Sequence, residues 1–317
     1  MNVLCKTIAY TLLLGVIVSG CTSEKPGDNK ATVPASPVNS PSPTSTSSSV
    51  NSPSPASEPV NTQNATASSS IQTITFHSVS LDRDMRFNIY LPEGYSEERK
   101  YPVLYLIHGL GSTETMWMPD LGMNETADQL IAGGKIKPLI MVTPQIDHSF
   151  GFNSGIKGYY SDYISKDLVT FVDNHFSTDV SRDSRYIGGL SMGGWAALHN
   201  AFIHPEVFSK AGGHSPALWL DDWTNAPEEH YTLYPSEEAR QLRDPIRLAA
   251  TEDLQGMKIY LDCGDRDNNK FYEGTEKLYK ALQARNIPVE YHAFPGGHDD
   301  AYWKAHESDY LLFYAGM

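Results

Sequence analysis

The sequence predicts an α/β domain with a mostly parallel central sheet, helices on both faces and an N-terminal antiparallel hairpin. Two observations carry this prediction. Compact apolar runs, of the kind that is buried on both faces of a parallel sheet, alternate with helix-like stretches. Ahead of them, two segments of alternating polar and apolar residues lie close together in the chain, which is typical of a hairpin. All of these patterns fall within residues 71–317, a length that suits one α/β domain.

The elements follow one another in a regular order. Residues 71–79 and 85–92 form the predicted hairpin, which is joined through LDRD and placed at one edge of the sheet. Parallel strands are predicted from the runs YPVLYLIHG, PLIMVTPQ, SRYIGGLS and MKIYLDCG, and from the later run PVEYHAF. The clearest helices are predicted over 161–176, 274–286 and 299–314. Strands that alternate with helices in this way favour a doubly wound arrangement.

The N-terminal region is predicted to be a lipoprotein signal peptide followed by a linker. Residues 1–20 carry one lysine, an apolar run and small residues, as secretory signals do. The sequence VSGC, which ends at Cys21, resembles the bacterial lipobox, whose cysteine is lipidated; an ordinary secretory signal is the alternative. Residues 21–70 are rich in serine, proline and threonine and lack aromatic residues, so they predict a disordered linker. We therefore expect an extracytoplasmic domain that is anchored to a membrane through a lipid on Cys21.

Charge and cysteine content narrow the possible partners. The formal net charge is −14 at pH 7, which argues against nucleic acid as a partner. Cys263 is the only cysteine in residues 71–317, so the predicted domain has no intrachain disulfide.

A serine among glycines is the first candidate for catalysis. Residues 189–193, with Ser191 at the centre, fit the G-x-S-x-G pattern of the nucleophile elbow of α/β-hydrolases. That chemistry needs a sharp strand-to-helix turn, and bulky side chains two residues before or after the serine would collide there. A β-prone RYI precedes the pattern and a helix-prone WAALHNAF follows it, although a plain glycine-rich turn remains the alternative.

A serine nucleophile needs a histidine base, and one histidine is best placed for this role. His199 and His204 follow Ser191 on the predicted helix, His292 lies inside a strand, and His306 lies in the last helix. His298 instead lies in the glycine-rich loop FPGGHDD between the last strand and the last helix. From there it is free to reach across the end of the sheet, so we predict that it is the base.

The acid that orients the base is predicted to follow the strand KIYLDCG. Asp262 belongs to that strand and is expected to face a layer of helix. Asp265 and Asp267 follow the strand at its carboxyl end, where catalytic groups collect in open α/β sheets, and spacing does not choose between them.

The same loop also matches part of a calcium-binding pattern. Asp265, Asp267, Asn269 and Glu276 occupy positions 1, 3, 5 and 12 of that pattern. Its glycine position holds Lys270 instead, which disfavours calcium.

Four motifs in order resemble the "putative esterase" family of α/β-hydrolases, which includes esterase D-type enzymes, feruloyl and acetyl-xylan esterases and mycolyltransferases. They are YPVLYLIHGLGSTETMW, YIGGLSMGGWAAL, LDCGDRDNN and FPGGHDDAYWK. The resemblance implies an α/β-hydrolase fold with Ser191 as nucleophile, Asp267 as acid and His298 as base. It further implies an oxyanion hole made by the backbone N–H groups of Leu110 and Met192. No metal or organic cofactor is needed for this chemistry.

The chain departs from the family mainly over residues 214–257, which we predict to be an insertion or lid. Its Trp219 and Trp223 suit a sugar or a phenolic acyl group, although packing of the insertion onto the domain explains them equally well.

These features together predict a serine carboxylic-ester hydrolase that acts on carbohydrate esters, acetyl or feruloyl, through an acyl-enzyme. Two alternatives remain at this stage. One is an acyltransferase of the mycolyltransferase type, and the other is a surface lipoprotein that binds a ligand and catalyses nothing.

Overall fold

The computed structural model describes residues 68–220 and 232–317. The predicted signal peptide, Cys21, almost all of the predicted linker and Trp223 lie outside these residues. In the described part, no helix combines the length and the apolar character that crossing a membrane requires.

Within residues 68–220 and 232–317, an eight-stranded sheet has the strand order β1-β2-β4-β3-β7-β8-β9-β10. In this sheet β1 pairs antiparallel with β2, and β2 pairs antiparallel with β4. The strands β4, β3, β7, β8, β9 and β10 run parallel to one another. A separate antiparallel pair is formed by β5 and β6. The strands are β1 Ser70–Ser78, β2 Arg83–Leu91, β3 Val103–Ile107, β4 Ile140–Pro144, β5 Asn153–Ser154, β6 Gly158–Tyr159, β7 Arg185–Leu190, β8 Lys210–His214, β9 Lys258–Gly264 and β10 Val289–Phe294.

Helices cover the sheet and connect its strands. In the described residues the α-helices are α1 Met123–Ala132, α2 Tyr160–Asp162, α3 Val169–His175, α4 Met192–Ile203, α5 Glu237–Arg243, α6 Pro245–Thr251, α7 Phe271–Ala284, α8 Asp300–Ala305 and α9 Glu307–Ala315. Met116–Leu121 and Tyr163–Leu168 are π-helical, and Arg182–Ser184 is a 3-10 turn.

Both faces of the sheet are buried, which explains the unbroken apolar runs. Along β3, Val103, Tyr105 and Ile107 join one core cluster, while Leu104 and Leu106 join another. The first cluster includes residues of α3, α4, α6 and α7, and the second includes residues of α1, α8 and α9. Successive side chains of a strand point to opposite faces, so a strand that is covered on both sides needs apolar residues at every position.

The structure confirms the predicted fold class. The predicted hairpin is formed by β1 and β2, with Ile74 opposite Phe87, and β1 lies at the sheet edge as expected. Strand β8 was not among the predicted strands, because its sequence KAGGH contains no β-branched residue. Its Gly212 admits the Tyr314 hydroxyl group, which would lie 1.8 Å from a Cβ at that position.

The last predicted helix is two helices, so the prediction of one continuous helix over 299–314 was wrong. The break lies at His306, whose φ of −110° and ψ of 6° leave the helical range. The His306 ring bonds Asp309, with 3.0 Å between Nδ1 and Oδ2, and so joins the break to the first turn of α9.

In the described part of residues 214–257, α5 and α6 stand next to the helix that follows Ser191. The carbonyl oxygen of Arg243 lies 2.8 Å from Nδ1 of His199 in α4. Asp244 begins α6 by accepting the N–H of Ile246 at 2.9 Å, and its carboxylate pairs with Arg240. That this region works as a lid stays a prediction.

Candidate active site

Ser191 stands between β7 and α4 in a backbone conformation that is unusual for a residue with a side chain. Its φ is 54° and its ψ is −117°, and such positive-φ strain in non-glycine residues clusters at functional sites. Glycine is required on both sides, since a Cβ on Gly189 would lie 2.4 Å from the carbonyl oxygen of Gly193. A Cβ on Gly193 would lie 2.2 Å from that of Ile107. The close approach of these backbones makes the sharp turn possible.

Backbone hydrogen bonds hold the elbow in place. The Ser191 N–H donates to the carbonyl oxygen of His214 at 3.0 Å. The Ser191 carbonyl accepts from Trp195 at 3.1 Å and from Ala217 at 2.9 Å. The turn is thus fixed by the neighbouring strand and by its own helix.

His298 bridges the serine and a carboxylate. Its Nε2 lies 2.9 Å from Oγ of Ser191, and its Nδ1 lies 2.9 Å from Oδ2 of Asp267. When Nδ1–H donates to the carboxylate, Nε2 is left free to accept the serine proton, as general-base catalysis requires. The structure therefore brings together Ser191, His298 and Asp267 from three separate segments.

The structure also distinguishes the two candidate acids. The Asp267 carboxylate is buried and accepts the N–H of Asn269 at 2.7 Å in addition to its bond with His298. Burial raises the pKa of Asp267, but these bonds outweigh it, so the pKa falls below its ordinary value. Asp265 instead accepts the N–H of Gly296 at 3.0 Å. Asp262 faces the terminal helices as expected, where it accepts a hydrogen bond from Tyr302.

Two residues of the calcium pattern have other partners. The Glu276 carboxylate pairs with Lys280 at 2.6 Å, and the Asp267 carboxylate is occupied by His298. Within residues 68–220 and 232–317, no three His, Cys, Asp or Glu side chains are grouped so that they could hold a metal ion.

A cavity of about 530 Å³ opens at Ser191 and His298. Leu110 and Met192, the two predicted oxyanion-hole residues, line it. The HGLG segment passes close to the serine, because a Cβ on Gly109 would lie 3.8 Å from Cβ of Ser191. The N–H groups in the first turn of a helix lack intrahelical acceptors, so that of Met192 is available to an oxyanion.

His108 contacts the backbone of the HGLG segment. The sequence patterns did not mark it as a site residue. Its Nδ1 lies 2.8 Å from the Gly109 carbonyl oxygen, and its Nε2 lies 2.6 Å from Oε1 of Gln145. Burial lowers the pKa of His108, although its hydrogen bonds to Gly109 and Gln145 act in the opposite direction.

Aromatic side chains form one wall of the cavity. Trp219 lies there, with its ring centroid 5.2 Å from that of Phe271 and 6.2 Å from that of Phe150. Trp303 also lines the cavity, and its ring meets that of His298 edge to face at 5.0 Å. Phe150, Phe271 and Trp303 were not predicted, although the segments that follow the carboxyl ends of parallel strands commonly line such sites.

The charged residues of the cavity wall are acidic. Asp120 and Asp300 are exposed at the cavity, and no lysine or arginine is among the described residues that line it. Asp120 is held by a 2.7 Å hydrogen bond from Thr115.

Comparison with known proteins gives a consistent family. A family model described as "Putative esterase" matches residues 78–311. An endo-1,4-beta-xylanase/feruloyl esterase from Xylanibacter ruminicola is 32% identical over 231 residues, which are 70% of this chain and 28% of that protein. An acetyl esterase from Caldicellulosiruptor saccharolyticus is 25% identical over 74% of this chain and 94% of that protein.

Solved structures agree in fold. A ferulic acid esterase superposes with a TM-score of 0.69 at 22% identity, over 78% of this chain and 98% of that chain. At that identity the likeness shows the α/β-hydrolase fold.

The chain spans well under two thirds of several of its relatives, including 13% of endo-1,4-beta-xylanase Y from Acetivibrio thermocellus and 52% of an esterase from Mycobacterium tuberculosis.

Proposed function

The chain belongs to the "Putative esterase" family, and from this premise we propose that it is a serine carboxylic-ester hydrolase acting on carbohydrate esters. The observation that carries the proposal is the pair of 2.9 Å contacts that link Ser191, His298 and Asp267 at one cavity. A protein that only binds a ligand has no need of an aligned nucleophile, base and acid.

The proposed reaction proceeds through an acyl-enzyme. His298 Nε2 takes the proton of Ser191 as Oγ attacks the ester carbonyl carbon, and Asp267 stabilises the imidazolium that forms. The carbonyl oxygen becomes an oxyanion, which accepts hydrogen bonds from the N–H groups of Leu110 and Met192. The intermediate then collapses, and the alcohol leaves with the proton from His298. Water, activated by the same histidine, releases the acid and restores Ser191.

The substrate proposal rests on the cavity and on relatives. The relatives include proteins described as a feruloyl esterase and as an acetyl esterase. The aromatic wall of Phe150, Trp219 and Phe271 offers faces on which a phenolic acyl group or a sugar ring can stack. We propose that Trp219 binds substrate in this way and that Trp223 contributes a second ring.

Location is the second part of the proposal. We propose that residues 1–20 are removed, that Cys21 carries a lipid, and that residues 21–70 hold the catalytic domain away from an extracytoplasmic membrane surface. A Cys21→Ala variant should leave the membrane fraction and lack the lipid mass in its N-terminal peptide. Retention of both would refute the anchor without affecting the catalytic proposal.

Hydrolysis of defined sugar esters tests the catalytic proposal. We expect the full chain to release ferulate or acetate from feruloylated or acetylated xylo-oligosaccharides, and the Ser191→Ala variant to release neither. Equal activity in that variant would rule out a serine mechanism. Turnover of p-nitrophenyl acetate without turnover of any sugar ester would refute the substrate class alone. Adding a sugar acceptor during the assay detects acyl transfer as a new ester product.

A further inference from the structure

A second polar cluster lies buried beneath the proposed catalytic residues. At its centre, the fully buried Asp262 accepts hydrogen bonds from three side chains. His214 Nδ1 lies 2.8 Å from Oδ1, while the hydroxyl groups of Tyr302 and Tyr310 lie 2.7 and 3.0 Å from Oδ2. Burial of a carboxylate destabilises a protein unless hydrogen bonds compensate for the lost water, and these three donors meet that requirement.

One side of the cluster reaches the nucleophile through the backbone. Strands β8 and β9 pair His214 with Asp262, and the His214 carbonyl oxygen accepts the N–H of Ser191 at 3.0 Å. The next residue, Ser215, donates its N–H to the Asp262 carbonyl oxygen at 2.8 Å. The cluster therefore fixes the strand end on which the elbow rests.

The other side reaches the loop that carries the base. Tyr302 lies in the first turn of α8, and its ring packs so closely on Gly296 that a Cβ there would lie 2.4 Å from Cδ2 of the ring. Asp299, next to His298, accepts the N–H of Tyr302 at 3.0 Å. The loop from Gly296 to His298 thus rests on a ring whose hydroxyl group is tied to Asp262.

We propose that Asp262 is a positioning residue, which holds the His298 loop and the Ser191 elbow in register through Tyr302 and His214. This inference rests on the proposed function, because register between the two side chains matters only if the proton passes between them. A displacement of about 1 Å at such a pair can reduce the rate about a hundredfold.

Tyr310 provides a matched control within the same cluster. Its hydroxyl group donates to the same carboxylate oxygen as that of Tyr302, and both rings are buried. Tyr310 belongs to α9 and stacks on His214 at 3.7 Å, a contact that phenylalanine would preserve. Loss of either hydroxyl group removes one hydrogen bond from Asp262, but only the Tyr302 ring also packs on Gly296 of the His298 loop.

The test compares Tyr302→Phe with Tyr310→Phe in the full chain. We expect Tyr302→Phe to lower kcat for p-nitrophenyl acetate roughly tenfold with little change in KM, and Tyr310→Phe to lower it less than twofold. The labelling rate of Ser191 by diisopropyl fluorophosphate should fall in parallel. Similar melting temperatures for the two variants would exclude a general loss of stability. Equal kcat in both variants would overturn the proposal.

A second pair of variants approaches the same contact from the loop. Gly296→Ala drives a methyl group into the Tyr302 ring, whereas a Cβ on Gly297 would meet the carboxylate of Asp299, at 2.8 Å, and not the ring. We expect Gly296→Ala to lower kcat and the labelling rate more than Gly297→Ala, although Gly297 is nearer to His298 in sequence. The reverse order would overturn the proposal. Failure of the parent chain to be labelled at Ser191 would refute the proposed function itself, which separates the two failures.

Discussion

Asp267 and His298 are joined by a hydrogen bond of 2.9 Å between Oδ2 and Nδ1, across 31 residues of sequence. The bond favours the tautomer that carries its proton on Nδ1, which leaves Nε2 free to accept the proton of Ser191. It also places the carboxylate of Asp267, and not that of Asp265, in line with His298 and Ser191, since Asp265 accepts a backbone N–H of the loop.

Replacing each carboxylate by its amide should separate the two roles. We expect Asp267→Asn to lower kcat by about 10³ to 10⁴, because the amide favours the wrong histidine tautomer and cannot stabilise the imidazolium. Asp265→Asn should change kcat by less than about fivefold, since a neutral oxygen still accepts the Gly296 N–H. Steady-state hydrolysis of p-nitrophenyl acetate measures both. A larger loss in Asp265→Asn would contradict the assignment of the acid.

Part of this site followed from sequence, and part required the fold. Local patterns predicted Ser191 and His298, namely a five-residue turn that needs glycine and a loop between the last strand and helix, and the structure brings the two side chains within 2.9 Å. Spacing did not choose between Asp265 and Asp267, since both follow the same strand; the family resemblance implied Asp267, and the path of the loop brings its carboxylate to His298. The Asp262 cluster left no local signal, because its members come from β8, β9 and the two terminal helices.

The elbow glycines give a prediction about stability. In Gly193→Ala the new methyl group would lie 2.2 Å from the backbone oxygen of Ile107, which cannot rotate away. We expect a loss of roughly 1–3 kcal/mol in the free energy of unfolding, together with a fall in kcat as Ser191 shifts. Urea titration of the full chain measures the first quantity.

Gly155→Ala is the control for the elbow variant, since nothing lies within 4 Å of a Cβ there. It should be neutral or slightly stabilising in the same titration, because alanine reduces the entropy of the unfolded chain. A Gly193→Ala protein with the stability and kcat of the parent would show that the turn does not need the close backbone approach.

The two acidic residues at the cavity should disfavour anionic substrates. Asp120 and Asp300 line it, and each repels a carboxylate by about 1 kcal/mol at short range in water. We expect mono-p-nitrophenyl succinate, which is anionic, to have a lower kcat/KM than neutral p-nitrophenyl butyrate. The double variant Asp120→Asn and Asp300→Asn should reduce the ratio between the kcat/KM values of the two esters several-fold. About 1 M salt should reduce the same ratio in the parent.

Asp183→Asn serves as the control for charge, because Asp183 is 91% exposed and is not among the residues that line the cavity. It removes one negative charge from the chain while leaving the cavity unchanged. If it narrowed the gap between the two esters as much as the double variant does, the effect would come from net charge and not from the cavity wall.

Glu307 makes stability depend on pH. Its carboxylate is buried and accepts a hydrogen bond from Thr126 at 2.6 Å. Burial is the main cause that raises its pKa from 4.5 to about 7. The folded state therefore holds the proton more tightly than the unfolded state. The stability that this provides is complete below pH 4.5 and is lost as pH rises through about 7.

Glu307→Gln should remove that dependence, because the amide stays neutral at every pH. We expect the variant to be similar to the parent at about pH 5 and more stable than it at about pH 8, by up to about 3 kcal/mol at 1.36 kcal/mol per pH unit. Urea titrations at both values measure the difference. Glu273→Gln, at an exposed position, should have the same free energy of unfolding as the parent at both pH values. The same difference in stability between Glu307→Gln and the parent at both pH values would show that the buried carboxylate is not the group that titrates. Only a group whose pKa differs between the folded and unfolded states makes that difference change with pH.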